Sequence, residues 1–225
     1  MKNYKISLFC SLLLVFLVSV IMIFGELSSQ KKDADTFKEL KEIGNEFISD
    51  EPIEPRNEVN TFLETEENKK CRHIEIYRNQ NSECIGWIFI DGTNVDYPVM
   101  HSPNSPQKYL KTNFYGSYSQ SGVPFLDSRC NLVNTNLIIY GHNMKNGTMF
   151  SDLKKYLKAD FKNTHKTIKF ETVEGIKNYT VTDVIRTDIN DGLYKNILSE
   201  ERLLILSTCY GSSKSGRLLI IAKEA

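Results

Sequence analysis

The sequence is short of cysteine and histidine and carries no net charge, and each shortage removes a class of protein. Its 28 lysines and arginines balance 28 aspartates and glutamates. No basic block or cationic, aromatic-rich stripe stands out, which argues against nucleic acid as a partner. Five cysteines in 225 residues are too few for a disulfide-built scaffold. A metal centre needs three or four ligands at suitable spacing, yet there is no C-x-x-C pair, and the four histidines, His73, His101, His142 and His165, lie far apart. Neither a metal nor a cofactor is therefore implied. There is no internal repeat and no low-complexity tract, so the length suits one substantial domain with additions.

One long apolar run is present. From Ile6 to Phe24 there are 19 residues without a charge. At helical rise they span about 28 Å, close to the hydrocarbon thickness of a bilayer. Lys2 and Lys5 precede the run, which favours a cytoplasmic N-terminus and an exported remainder. A cleaved signal peptide would have a shorter apolar core, and "GELSS" is a poor cleavage site. The run is read as an uncleaved single-pass anchor over 6–24, with 1–5 cytoplasmic and the rest on the extracellular face. Cys10 falls in the span, leaving Cys71, Cys84, Cys130 and Cys209 outside. A bridge among the first three stays open.

Past the anchor, "DADTFKELKEIGNEFIS" sets Phe37, Leu40, Ile43 and Phe47 at helical spacing and predicts an amphipathic stalk helix. "DEPIEPRNE", with Pro52 and Pro55, breaks it, so 25–57 reads as stalk and linker. A second helix is expected within 58–79, the start of a folded domain over 58–225. From Cys84 the texture becomes short β-type runs bounded by turn residues: "CIGWIFI", "VDYPVM", "GVPFLD", "TNLIIYGH", "KTIKFET", "KNYTVTDVIR", "RLLILSTC" and "GRLLIIAK". These eight predict a mainly β fold, a closed barrel or a sandwich. Thr148 is expected to cap a helix over "MFSDLKKYLK", and a weaker helix is expected over "DGLYKNILSEE".

The chemistry concentrates near the C-terminus. Cys209 ends the apolar run "LLILS", and Arg217 opens the next strand after "YGSSKSG". If those strands are neighbours, a thiol and a permanent cation share one end of the sheet, a suitable pair for nucleophilic attack on a carbonyl. His142 sits similarly, after "LIIYG" and before "NMKNG", with Gly141 allowing a turn. The competing reading is a buried structural cysteine, a solvated arginine and a strand-end histidine. His73, His101 and His165 are read as surface residues.

That order of His, Cys and Arg on an N-terminally anchored β protein resembles the sortases, cysteine transpeptidases that attach proteins to Gram-positive cell walls. "LSTC" resembles the T-L-x-T-C signature, with arginine eight residues on. "IIYGHNMKNGTMFSDLKKY", "IGWIFIDGTNVDYPVM" and "YLKTNFYGSYSQSGVPFLD" resemble segments of class B sortases. The resemblance implies an eight-stranded sortase-type β-barrel with N-terminal and short peripheral helices. It implies Cys209 as nucleophile, His142 as general acid/base and Arg217 as the cation that steadies substrate and oxyanion, with Ser207 and Tyr140 lining the groove. The implied partners are exported proteins with a C-terminal L-P-x-T-G- or N-P-x-T-N-like motif, and an amine of peptidoglycan or of its lipid-linked precursor. Two alternatives stay open: a membrane-tethered cysteine peptidase that releases the acyl group to water, and a surface binding module without chemistry. Class B enzymes have a longer connection before the cysteine strand than 187–201 allows, and Tyr210 stands where several relatives are acidic.

Overall fold

The computed structural model describes residues 2–46, 74–133, 136–195 and 202–225. The linker "DEPIEPRNE", His73, Cys71 and most of the second expected helix lie outside them. Eight strands form a closed barrel: β1 Cys84–Ile90, β2 Asp96–Met100, β3 Phe125–Leu126, β4 Leu137–Tyr140, β5 Thr167–Thr172, β6 Gly175–Asp188, β7 Leu203–Cys209 and β8 Gly216–Glu224. Their order around the barrel is β1-β2-β3-β4-β7-β8-β6-β5. Each strand falls on one of the eight predicted runs. β2–β3 and β4–β7 are parallel, and the other pairs are antiparallel. Ile88, Ile90, Phe170, Leu204, Leu206, Leu218 and Ile220 are among the side chains buried in the core.

The stalk is not a separate helix. Helix α1, Lys2–Glu46, runs without a break from the apolar segment into it. Between them only Gly25 disfavours a helix, at a cost of about 1 kcal/mol, and Glu, Leu, Gln and Lys around it are good helix formers. The apolar part, Leu8 to Phe24 among the described side chains, is exposed, whereas Asp33, Thr36, Phe37 and Leu40 are buried. Phe37 meets the edge of the Tyr97 ring at 5.1 Å, and the Tyr77 hydroxyl donates to the Leu40 carbonyl at 2.7 Å. Tyr77 belongs to a short helix, α2, over residues 74–80.

The helix predicted after Thr148 is a 3-10 helix, Phe150–Leu157, and Thr148 does not cap it. Met149 has φ 56°, so the chain reverses one residue too late for a threonine cap. The Thr148 hydroxyl instead donates to Asn146 Oδ1 at 2.7 Å, and the Phe150 N–H goes to the His142 carbonyl at 2.9 Å. Helix α3, Ala159–Thr164, follows and was not expected. Of the weaker predicted helix, a 3-10 turn over Gly192–Tyr194 is seen, and 196–201 lie outside the described residues.

Candidate active site

Strand pairing decides which side chains meet. β4 runs parallel to β7 with Tyr140 opposite Ser207, so the chain leaves both strands at the same end, toward His142 and Cys209. β8 returns antiparallel beside β7 with Arg217 directly opposite Cys209. Side chains directly opposite across a ladder emerge on the same face. Around this rim the order is therefore His142, Cys209, Arg217, with the thiol between the imidazole and the guanidinium.

Short bonds hold the strand ends together. The Gly141 N–H donates to the Ser207 carbonyl at 3.1 Å, the Thr208 hydroxyl to the Gly141 carbonyl at 2.8 Å, and Asn143 Nδ2 to the Cys209 carbonyl at 2.8 Å. Gly141 is needed for space rather than for a turn. A Cβ there would lie 2.6 Å from the Phe150 ring. The loop after Cys209 is tighter than its small residues suggest: the Tyr210 N–H donates to the Gly216 carbonyl at 3.0 Å, and Gly211 takes φ 82°. Tyr210 lies under the Arg186 guanidinium, 5.3 Å from ring centre to charge.

These strand ends border a cleft of about 530 Å³. Cys209, His142, Arg217, Ser207 and Tyr140 all line it, so the five residues singled out in the sequence come together. Cys209 is exposed there, unlike Cys84, whose burial pushes its thiol up to about 12. Arg217 donates through Nη1 to the carbonyls of Lys214 at 3.0 Å and Gly216 at 2.8 Å. That grip fixes the guanidinium and leaves its Nε and Nη2 without a partner among the described residues.

His142 is half-buried, with Nε2 at 2.9 Å from the Leu110 carbonyl oxygen. A carbonyl can only accept, so Nε2 carries the hydrogen and Nδ1 is the nitrogen that gains or loses a proton. Burial lowers the imidazole pKa below its ordinary value; the Leu110 bond opposes this, and Lys111 adds to it. The ring is accordingly biased toward the neutral form.

The two other described histidines are less exposed than predicted. His101 is half-buried, with Nε2 enclosed and without a hydrogen-bond partner among the described residues, and burial lowers its pKa. His165 is half-buried and stacks on Phe161 at 4.1 Å. Sequence reasoning also missed Asp127, Arg129 and Tyr194 in the cleft wall. Asp127 accepts two bonds from the Arg129 guanidinium and one from the Tyr140 hydroxyl. Burial works against its charge, but these bonds outweigh burial and hold the carboxyl below its usual value. The D-x-R spacing next to an apolar pair was the only sign in the sequence.

The family model of the sortase domain matches residues 88–225. Sortase B of Listeria monocytogenes serovar 1/2a is 33% identical over 175 residues, covering 64% of this chain and 70% of that protein. Sortase B of Staphylococcus aureus is 29% identical over 249 aligned positions, covering 97% of this chain and 98% of that protein. A solved Staphylococcus aureus sortase B–substrate complex matches with a TM-score of 0.69 at 25% identity, over 87% of this chain and 97% of that one. Clostridium perfringens sortase B matches with a TM-score of 0.60 at 26% identity, over 67% and 98%. The chain belongs to the sortase family of cysteine transpeptidases, in its class B. A binding module without chemistry is thereby set aside.

Proposed function

We propose that this sortase is held in the membrane by the apolar part of α1 and cleaves a C-terminal sorting motif of exported proteins, passing the acyl group to a cell-wall amine. Cys209 is the nucleophile, His142 the general acid/base and Arg217 the oxyanion cation. The observation that carries the assignment is the register of β4, β7 and β8, which sets the thiol between an imidazole and a guanidinium on one rim.

The chemistry follows from the groups. His142 takes the Cys209 thiol proton on Nδ1, and the resulting thiolate forms a bond to the threonine carbonyl carbon of an L-P-x-T-G- or N-P-x-T-N-like segment. Arg217 donates to the oxygen as charge builds on it. The C–N bond breaks, and His142 gives the Nδ1 proton to the departing amine. An amine of peptidoglycan or of its lipid-linked precursor then attacks the thioester, His142 takes its proton, and the thiolate leaves. The acyl energy is kept in the thioester, so the new amide needs no nucleotide. The apolar run and the lysines before it support a cytoplasmic N-terminus and an extracellular catalytic domain.

A chain beginning at Glu26 keeps the buried face of α1 and is the form to test. It is incubated with a panel of sorting peptides, with and without candidate amines. Amine-dependent peptide ligation is the expected result. Cleavage that ignores every amine would favour a peptidase, and no thioacyl adduct with any peptide would overturn the assignment.

A further inference from the structure

We propose that Asp127 is a positioning residue for the transpeptidation, holding the Tyr140 phenol so that Tyr140 and Tyr194 form a fixed aromatic wall beside the reacting thiol; this rests on the reading of the cleft above. Asp127 follows β3 and is buried in the cleft wall. Its Oδ1 accepts from Arg129 Nε at 2.8 Å and from the Arg129 backbone N–H at 3.0 Å. Its Oδ2 accepts from Arg129 Nη2 at 2.8 Å and from the Tyr140 hydroxyl at 2.7 Å. Each oxygen thus takes two hydrogens, which fills the carboxylate. Asp127 has no capacity left for a substrate and acts through Tyr140.

Tyr140 passes the constraint on. Its ring packs against Phe125 at 5.5 Å and stacks on Tyr194 at 6.2 Å with 15° between the planes. The Tyr194 hydroxyl shares a 2.7 Å hydrogen bond with Ser207 Oγ, and Ser207 is the strand partner of Tyr140. Asp127, Tyr140, Tyr194 and Ser207 therefore connect back onto the two strand positions that precede His142 and Cys209 by two residues. Tyr194 stands on the β6–β7 connection, in its 3-10 turn Gly192–Tyr194. Stacking on Tyr140 and the bond to Ser207 hold that 3-10 turn against the cleft. Without a charged acceptor the Tyr140 hydroxyl loses a strong bond, and the wall loses its reference point.

The test compares Asp127→Asn, Tyr140→Phe and the double variant, using the peptide that the wild-type chain turns over. Each single change is expected to raise KM for the peptide roughly tenfold, the scale of one hydrogen bond to a charged group. kcat falls less, and the rate of Cys209 alkylation by a small reagent stays at the wild-type value. The double variant is no worse than either single one, because both break the same contact. Unchanged KM in Tyr140→Phe, which removes only a hydroxyl, would overturn the proposal even if Asp127→Asn fails to fold. Additive losses in the double variant would overturn it as well. Failure of the wild-type chain on every peptide counts against the reading of the cleft, whereas wild-type turnover with unaffected variants counts against Asp127 alone.

Discussion

Asp33 and Asp127 are both buried carboxylates, one in the seam between α1 and the barrel and one beside the rim that carries Cys209. In the seam, Asp33 accepts from the Ser119 hydroxyl at 2.7 Å and the Ser121 N–H at 3.4 Å, and Phe37 and Leu40 are buried further along the same helix. Its bonds tie α1 to the loop over residues 119–122. At the rim, Asp127 is one link in a chain that leads to an exposed thiol, to an imidazole with one nitrogen committed, and to a guanidinium with donors to spare. The seam uses polar groups to complete a contact; the rim leaves some of them incomplete. Changes at the seam should therefore cost stability and spare the chemistry of each folded molecule, while changes at the rim should do the reverse.

The largest effects test the rim. Cys209→Ala should abolish the thioacyl intermediate, detected by mass, and lower turnover by at least about 10⁴-fold, the scale seen when a catalytic nucleophile is removed. Cys84→Ala should leave turnover largely intact, since that thiol is buried and does not line the cleft. Arg217→Lys is the finer change. Lysine keeps the charge but loses the planar fork that grips the Lys214 and Gly216 carbonyls while offering further donors. One oxyanion donor is worth about 10²–10³ in rate, so Arg217→Lys should lose that much with little change in melting temperature or in Cys209 alkylation. Near-normal turnover would reduce Arg217 to a source of positive field.

The seam is tested by Leu40→Ala. Leu40 is fully buried, so truncation should destabilise the chain by about 2–5 kcal/mol, read by denaturant unfolding of the form that begins at Glu26. Turnover per folded molecule should stay near wild type. A large loss of kcat at full folding would mean that α1 reaches the site, and the contrast between seam and rim would fail.

The eight strands were legible because apolar β-type runs alternate with turn residues, and the barrel's burial pattern follows those runs. Cys209 and Arg217 were legible for a similar reason, as polar groups at the ends of apolar strands. The pairing that joins them to His142 was not, because a parallel β4–β7 contact spans more than sixty residues and leaves no local mark. The seam was half-legible. Helical spacing found Phe37 and Leu40, but a count of apolar positions passes over Asp33 and Thr36, which are buried on the same face. Asp127 escaped for the same reason, since a carboxylate beside an arginine reads as surface until a tyrosine thirteen residues on closes over it.

The smallest expected effect comes from the misread helix start, between seam and rim. A threonine that caps a helix costs about 0.5–2 kcal/mol when replaced by alanine. Thr148 makes no such bond: Met149 is the residue before the 3-10 helix, and the first helical N–H is taken by the His142 carbonyl. The Thr148 hydroxyl donates only to the exposed Asn146 side chain. Thr148→Ala should therefore cost no more than about 0.5 kcal/mol, the usual range for a surface substitution. It should also leave KM and kcat for the sorting peptide unchanged. The same denaturant titration used for Leu40→Ala reads the difference, with the two variants side by side. A loss above 1 kcal/mol would show that Thr148 carries the helix start after all, and that the His142 carbonyl does not suffice to anchor the segment that follows the imidazole.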